Sequence, residues 1–188
     1  MPNWCFTDYA LTGDAEEIKS LHDRMERLQN MAEPLKPNGY GTKWLGCLVV
    51  DLGEDDEKVS CRGSWDNLSL ENDVLRFTTE TAWAQCSEVE DLIRKKYPSV
   101  SVFFCSEESG MGIYVKNSNF FFSDDFIITC GENDTEYCSE EGLINIVSDF
   151  LNIDIDSIDQ CRQLIDHHNS INEEDYENRI SLHEFTLV

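Results

Sequence analysis

Apolar positions along this chain switch between two periods, and the switches mark out its elements. Ile18, Leu21, Met25, Leu28 and Ala32 recur at steps of three and four, which lines one face of a helix. Pro34 and Pro37-Asn38-Gly39 end that helix, and Asp14 with Glu17 stands where a capping pair would serve its amino end. Ahead of Gly13-Asp14, the aromatic and β-branched run at 4–12 predicts a strand. Residues 40–50 (YGTKWLGCLVV) predict a further extended segment, followed by an acidic surface loop at 51–58. The runs at 59–70 and 74–83 flank Glu71-Asn72-Asp73 and predict a hairpin. Ser87 and Glu90 have the spacing of a capping box ahead of Val89, Leu92, Ile93 and Tyr97, with Pro98 as the stop. Strands are expected at 100–107 and 111–116 around Ser109-Gly110, and the run at 120–130 extends the same sheet. Ser139 opens a helix carrying Leu143, Ile144, Ile146, Val147 and Phe150, Asp156 to His168 forms a shorter one, and 179–187 is a last strand.

The order strand, helix, hairpin, helix, strand is the βαββαβ arrangement of an α+β, ferredoxin-like sandwich, an antiparallel sheet with helices on one face. The expected organisation is that domain over residues 1–118 and an acidic, partly helical C-terminal subdomain over 119–188, packed on it.

Charge narrows the partners. The 188 residues carry 38 acidic and 14 basic side chains, net -24, which excludes direct DNA, RNA or anionic-membrane binding and points to a basic protein partner. The acidity is uneven: residues 117–188 hold 17 acidic side chains, among them the run Glu173-Glu174-Asp175, against Arg162 and Arg179, net -15. With 40% apolar residues the chain is not globally disordered. Eight cysteines stand singly, with no CxxC pair, and predict reduced, mostly buried thiols, Cys5, Cys47 and Cys105 lying on apolar strands. No basic region followed by an apolar stretch opens the sequence and no apolar run has membrane length, so the expected location is cytoplasmic.

Candidate chemistry is sparse. Cys161 and His168 share a helix face, but two ligands do not make a zinc site. Asn152, Asp154 and Asp156 alternate like the start of a calcium loop, yet Ser157 replaces the turn glycine and Gln163 the closing glutamate, so helix capping is the expected role. No cysteine has a partner histidine at a motif spacing, GxSxG is missing, and Gly110-Met111-Gly112 is a turn rather than a phosphate cradle. No metal, cofactor or catalytic residue is predicted.

Four segments together carry a family resemblance: Asn3-Trp4-Cys5, Gly41-Thr42-Lys43-Trp44, Phe77 with Thr81-Ala82-Trp83, and Tyr97-Pro98 followed by Glu107-Glu108-Ser109-Gly110. Over residues 1–116 the chain resembles the YubB-like family of plasmid- and phage-borne proteins. It departs from that family at Trp83-Ala84-Gln85, where a Trp-Ser-Pro-Pro-like turn is usual. The resemblance implies a ferredoxin-like domain and a mobile-element background; the family has no agreed activity. Read physically, Trp4, Trp44 and Trp83 close a core or else form a shared aromatic pocket for a flat ligand. Lys43 with Glu107 and Glu108 forms a structural ion pair or else a catalytic couple. The resulting expectation is a non-enzymatic accessory protein of a mobile genetic element working by protein–protein contact. The alternatives are an acidic mimic of nucleic acid that blocks a basic DNA- or RNA-binding protein, and a small-ligand binder or enzyme using a Trp-lined pocket.

Overall fold

Strand β1 (Trp4–Thr12) alternates buried and exposed positions and is paired on both sides, antiparallel to β3 (Val74–Ala82) and to β4 (Ser101–Glu108). Outside β3 lies β2 (Gly63–Glu71), and outside β4 lies β5 (Ile113–Lys116), so the strands of this part of the chain run in the order β2-β3-β1-β4-β5. The computed structural model describes residues 3–173 and 175–188; of the acidic run at 173–175, Glu174 falls outside the described residues. The chain divides into two compact units, with the boundary after Phe121.

In the first unit, helix α1 (Ala15–Gln29) buries Ile18, Leu21, Met25 and Leu28, and Asp14 Oδ1 caps it by accepting from the Glu16 N–H at 2.9 Å. Glu17 does not cap. Its Oε2 instead accepts from the Ser99 N–H at 3.0 Å and from its hydroxyl at 2.7 Å. The helix stops before Ala32, which is exposed, because the Asn30 side chain turns back onto the Glu26 carbonyl at 2.9 Å.

Residues 40–50 are not a strand. Gly41–Lys43 form a single 3-10 turn, and Leu45–Asp51 form helix α2, in which Leu45, Gly46, Cys47, Leu48 and Val49 are all buried. A short run that is apolar all round has no period to distinguish strand from helix. Gly46 adapts the helix to its neighbour: a Cβ there would sit 2.3 Å from the Trp44 indole, which folds over the first turn. The far end is held by Arg24 and Arg27, which both pair with Asp51.

The β2–β3 hairpin turns through Asn72 and Asp73, with φ of 51° and 61°. Two successive positive φ values are the requirement of a type I′ turn, whose twist suits an antiparallel pair. Helix α3 (Ser87–Lys96) follows without the expected capping box. Its N-cap is Cys86 with no side-chain hydrogen bond, because the Glu90 carboxylate is turned inward to other partners.

The second unit has its own core. Strand β6 (Phe126–Cys130) pairs antiparallel with β7 (Glu136–Cys138) and with β8 (Ile180–Glu184) in a separate three-stranded sheet, so it does not extend the first. Phe126, Ile128 and Ile180 pack with Leu143 and Val147 of α4 (Glu140–Leu151) and Cys161 and Ile165 of α5 (Ile158–Ile171). Ser139 and Ser157 cap these helices through Gly142 N and Gln160 N, both at 3.3 Å. Strand β9 (Thr186–Leu187) follows β8. The molecule is therefore α+β; its described residues form five α-helices and two 3-10 turns, and none of these is long and apolar enough to cross a membrane.

Candidate functional site

Register alone arranges the inner face of the first sheet as a gradient. Leu11 lies beside Leu75 and Val102, and Tyr9 beside Phe77 and Phe104. The next rank is Thr7 with Thr79 and Ser106, followed by Cys5 with Thr81, and Glu108 lies two residues beyond Ser106 on the same face. All six of these polar or weakly polar side chains are buried. One end of the sheet is thus apolar beneath the helices and the other is a buried polar layer.

That layer is largely satisfied from within. Thr7 Oγ1 and Ser106 Oγ are 2.9 Å apart, and the Thr81 hydroxyl donates to the Ala84 carbonyl at 2.8 Å. Glu108, 3% exposed, accepts from the Gly110 N–H at 2.9 Å and the Met111 N–H at 2.7 Å, so its charge is spent on folding its own turn. Asn3 closes the corner. Its carbonyl accepts from the Trp83 N–H at 2.9 Å, and its side chain lies so near Gly110 that a Cβ there would be 2.3 Å from Asn3 Nδ2. Only the Thr79 hydroxyl in this layer is buried without an acceptor.

Four motif segments were candidates, and the fold unites two and part of a third. Asn3, Trp4, Thr81, Trp83 and Glu108 meet at the polar end of the sheet. Glu107 stands opposite Phe6 and takes the other face. Gly41, Thr42, Lys43 and Trp44 lie elsewhere: Thr42 donates to the Gln29 carbonyl at 3.1 Å, and Trp44 bridges to Ser64 beside edge strand β2. Lys43 pairs with Asp66 on that strand at 2.7 Å, not with Glu107 or Glu108. Two strands separate β2 from β4, a gap of about 14 Å at the usual interstrand spacing, which rules out both the ion pair and the catalytic couple.

The tryptophans also divide. Trp4 and Trp44 are half-buried, while Trp83 is 47% exposed with φ 75°, so it plugs no core. The indole that fills the core is Trp65, 1% exposed, which stands in β2 outside the four motif segments. A cavity of about 10 Å³ within this core is walled by Tyr9, Leu48, Phe77, Glu90 and their neighbours, with no tryptophan among them.

Glu90 is a buried ionisable side chain that sequence reading missed. It accepts from the Tyr9 hydroxyl at 2.9 Å and from Arg94 at 3.1 Å. Burial pushes its carboxyl above the usual range and, with the Glu90 charge adding, pushes Tyr9 well above its own. The available signal was its position next to Val89 in the apolar stripe of α3, where a surface glutamate would not stand. Two thiols are likewise kept neutral by burial: Cys86 is pushed up to about 12 and Cys61 to about 11. A thiol that stays protonated is a poor nucleophile.

No metal set forms where alternation suggested one. Asn152 is the left-handed C-cap of α4, and the Asp156 N–H donates to Gln160 Oε1 at 2.9 Å. Cys161 is sealed in the second core, and His168 Nε2 lies 2.6 Å from the Asn178 carbonyl. His22, Asp23 and Glu26 bring potential ligand atoms within 4.8 Å of one another on α1, but Asp23 already holds Lys19 at 2.5 Å. In the second unit the described carboxylates are exposed, apart from a half-buried Asp125, and Arg162 is taken up by Glu184 at 2.5 Å. No family model, no curated protein and no solved structure matches the chain.

Proposed function

We propose that this protein is a cytoplasmic, non-enzymatic accessory protein of a mobile genetic element, of the YubB-like kind, that acts by contact with a basic protein partner through its second unit. The observation that carries the reading is the net -15 of that unit, 17 acidic side chains against 2 basic ones, with the described carboxylates other than the half-buried Asp125 exposed. Like charges held on one small unit repel, and a basic partner relieves that repulsion. The first unit is read as a ferredoxin-like domain. Its support is the βαββαβ order, with α2 inserted before β2, and the strand order β2-β3-β1-β4. The motif residues support a structural role, since Glu108, Thr81 and Asn3 are engaged with their own backbone neighbours rather than held ready for a substrate.

The test is capture from extracts of the native host on the immobilised full chain, with a variant carrying Asp154→Asn, Asp156→Asn, Glu173→Gln and Asp175→Asn as control, followed by reconstitution with the purified partner. The reading expects a basic protein that binds directly, is released by salt and is held less by the variant. Competition by duplex DNA for that partner would make the contact nucleic-acid mimicry. Absence of any salt-sensitive basic partner would refute the proposal.

A further inference from the structure

We infer that a cavity in the second unit receives an arginine or lysine side chain from the basic polypeptide partner, a claim that rests on the contact proposed above and gives it a place. The cavity measures about 430 Å³ and is walled by the β6–β7 hairpin and by α4. Ile128 and Glu136 are cross-strand partners and so share a face, with Cys130 two residues further along it. From the helix, Ile146, Asp149 and Phe150 recur at steps of three and four, which turns all three to the same side. The wall is therefore apolar at Ile128, Ile146 and Phe150, and acidic at Asp134, Glu136 and Asp149.

Two properties select the occupant. Asp134, Glu136 and Asp149 are exposed, and among the described residues none makes an ion pair, so the cavity has no cation of its own. Cys130, only 4% exposed, contributes a buried thiol to the wall. Burial, with Glu136 adding its charge, pushes that thiol up to about 11, so it stays neutral. A purely apolar guest would strip water from three carboxylates without replacing it, and an anion would be repelled. A long basic side chain meets both demands: its stem lies along Ile146 and Phe150, and its charged end reaches the carboxylates. The volume falls in the range of about 300–1,000 Å³ usual for ligand clefts, more than one side chain needs, so flanking peptide enters too. Glu132 and Asn133 in the same hairpin turn continue the polar rim, which suits a polypeptide.

The test uses the full chain and fluorescence anisotropy with a short fluorescein-labelled peptide alternating arginine with leucine. The same peptide with citrulline in place of arginine is the neutral control. Wild type should bind the first and not the second. Glu136→Gln with Asp149→Asn, exposed positions whose change leaves the core intact, should weaken binding about tenfold, or ~1.4 kcal/mol. Asn133→Arg, which supplies a cation at the rim, should weaken it comparably. Asp154→Asn with Asp166→Asn removes the same charge outside the cavity and should leave affinity within about twofold. If both double variants weaken binding equally, the cavity is not the site, although contact through the acidic surface stands. If wild type binds neither peptide, the contact reading falls with it.

Discussion

Trp65 and Trp83 share a residue type and differ in everything that sets its energetic worth, so their substitution tests the burial argument directly. Trp65 is 1% exposed within the first core, and Trp83 is 47% exposed. A buried indole hides roughly 150–250 Å², which at ~25 cal/mol per Å² amounts to about 4–6 kcal/mol of transfer free energy. Its Nε1–H, however, is buried without a protein acceptor, a penalty of about 1–3 kcal/mol that disappears with the ring. Trp65→Ala should therefore cost about 3 kcal/mol, the low end for buried large aromatics. Trp65→Phe keeps most of the packing and removes the orphaned donor, and should cost under about 1 kcal/mol. Trp83→Ala should also cost under about 1.5 kcal/mol, because half its surface never leaves water and its positive φ is already unfavourable for a bulky residue. Urea unfolding followed by far-UV circular dichroism measures all three without relying on the residues removed. If Trp65→Phe destabilises as much as Trp65→Ala, the indole N–H is contributing to stability and the reasoning fails.

Three further outcomes follow from the polar interior. Burial raises the folded-state pKa of Glu90, so the folded chain holds this proton more tightly than the unfolded one and stability is lost as pH rises from the ordinary range near 4.5 through the folded value. Glu90→Gln should flatten that part of the stability profile, measured by urea midpoints across acid to neutral pH; an unchanged slope would show that Glu90 does not titrate in this window. Glu108→Ala leaves the Gly110 and Met111 N–H groups without their acceptor and should cost about 1.5–3 kcal/mol, whereas Lys43→Ala, breaking an exposed pair with Asp66, should stay within about 1 kcal/mol. Seven of the eight free thiols are buried and Cys105 is half-buried, so brief alkylation of the native chain followed by mass measurement should add little, and alkylation in denaturant should add eight labels; native disulfides would refute this.

What could be read from sequence was whatever a single period or a single turn decides. The α1 stripe, the Asn72-Asp73 turn and the Ser139 cap depend on neighbours within a few residues, and each forms as the residue types dictate. Residues 40–50 fail that condition, since a short run that is apolar throughout shows no period to separate strand from helix. Ser87 and Glu90 fail it for another reason: the capping box is a local bond of about 1 kcal/mol, and a buried Tyr9 hydroxyl 81 positions away in sequence outcompetes it. The polar end of the sheet was legible as a set of motif residues, but which of them meet depends on β1 lying between β3 and β4. The cavity of the second unit left no motif at all, being assembled from an isoleucine, a helix face and a hairpin turn.

The uneven charge makes the second unit behave as a folded polyelectrolyte. With net -15 on residues that close their own small core, its folding free energy includes a large repulsive contribution that shrinks as the Debye length falls from about 30 Å at 0.01 M to about 8 Å at 0.15 M. The first unit, net -9 over a longer stretch with most of its cations in ion pairs, feels that change far less. Ionic strength is thus a selective control: desalting loosens the acidic unit first, and a basic partner, by supplying counter-charge, stiffens the very surface it binds.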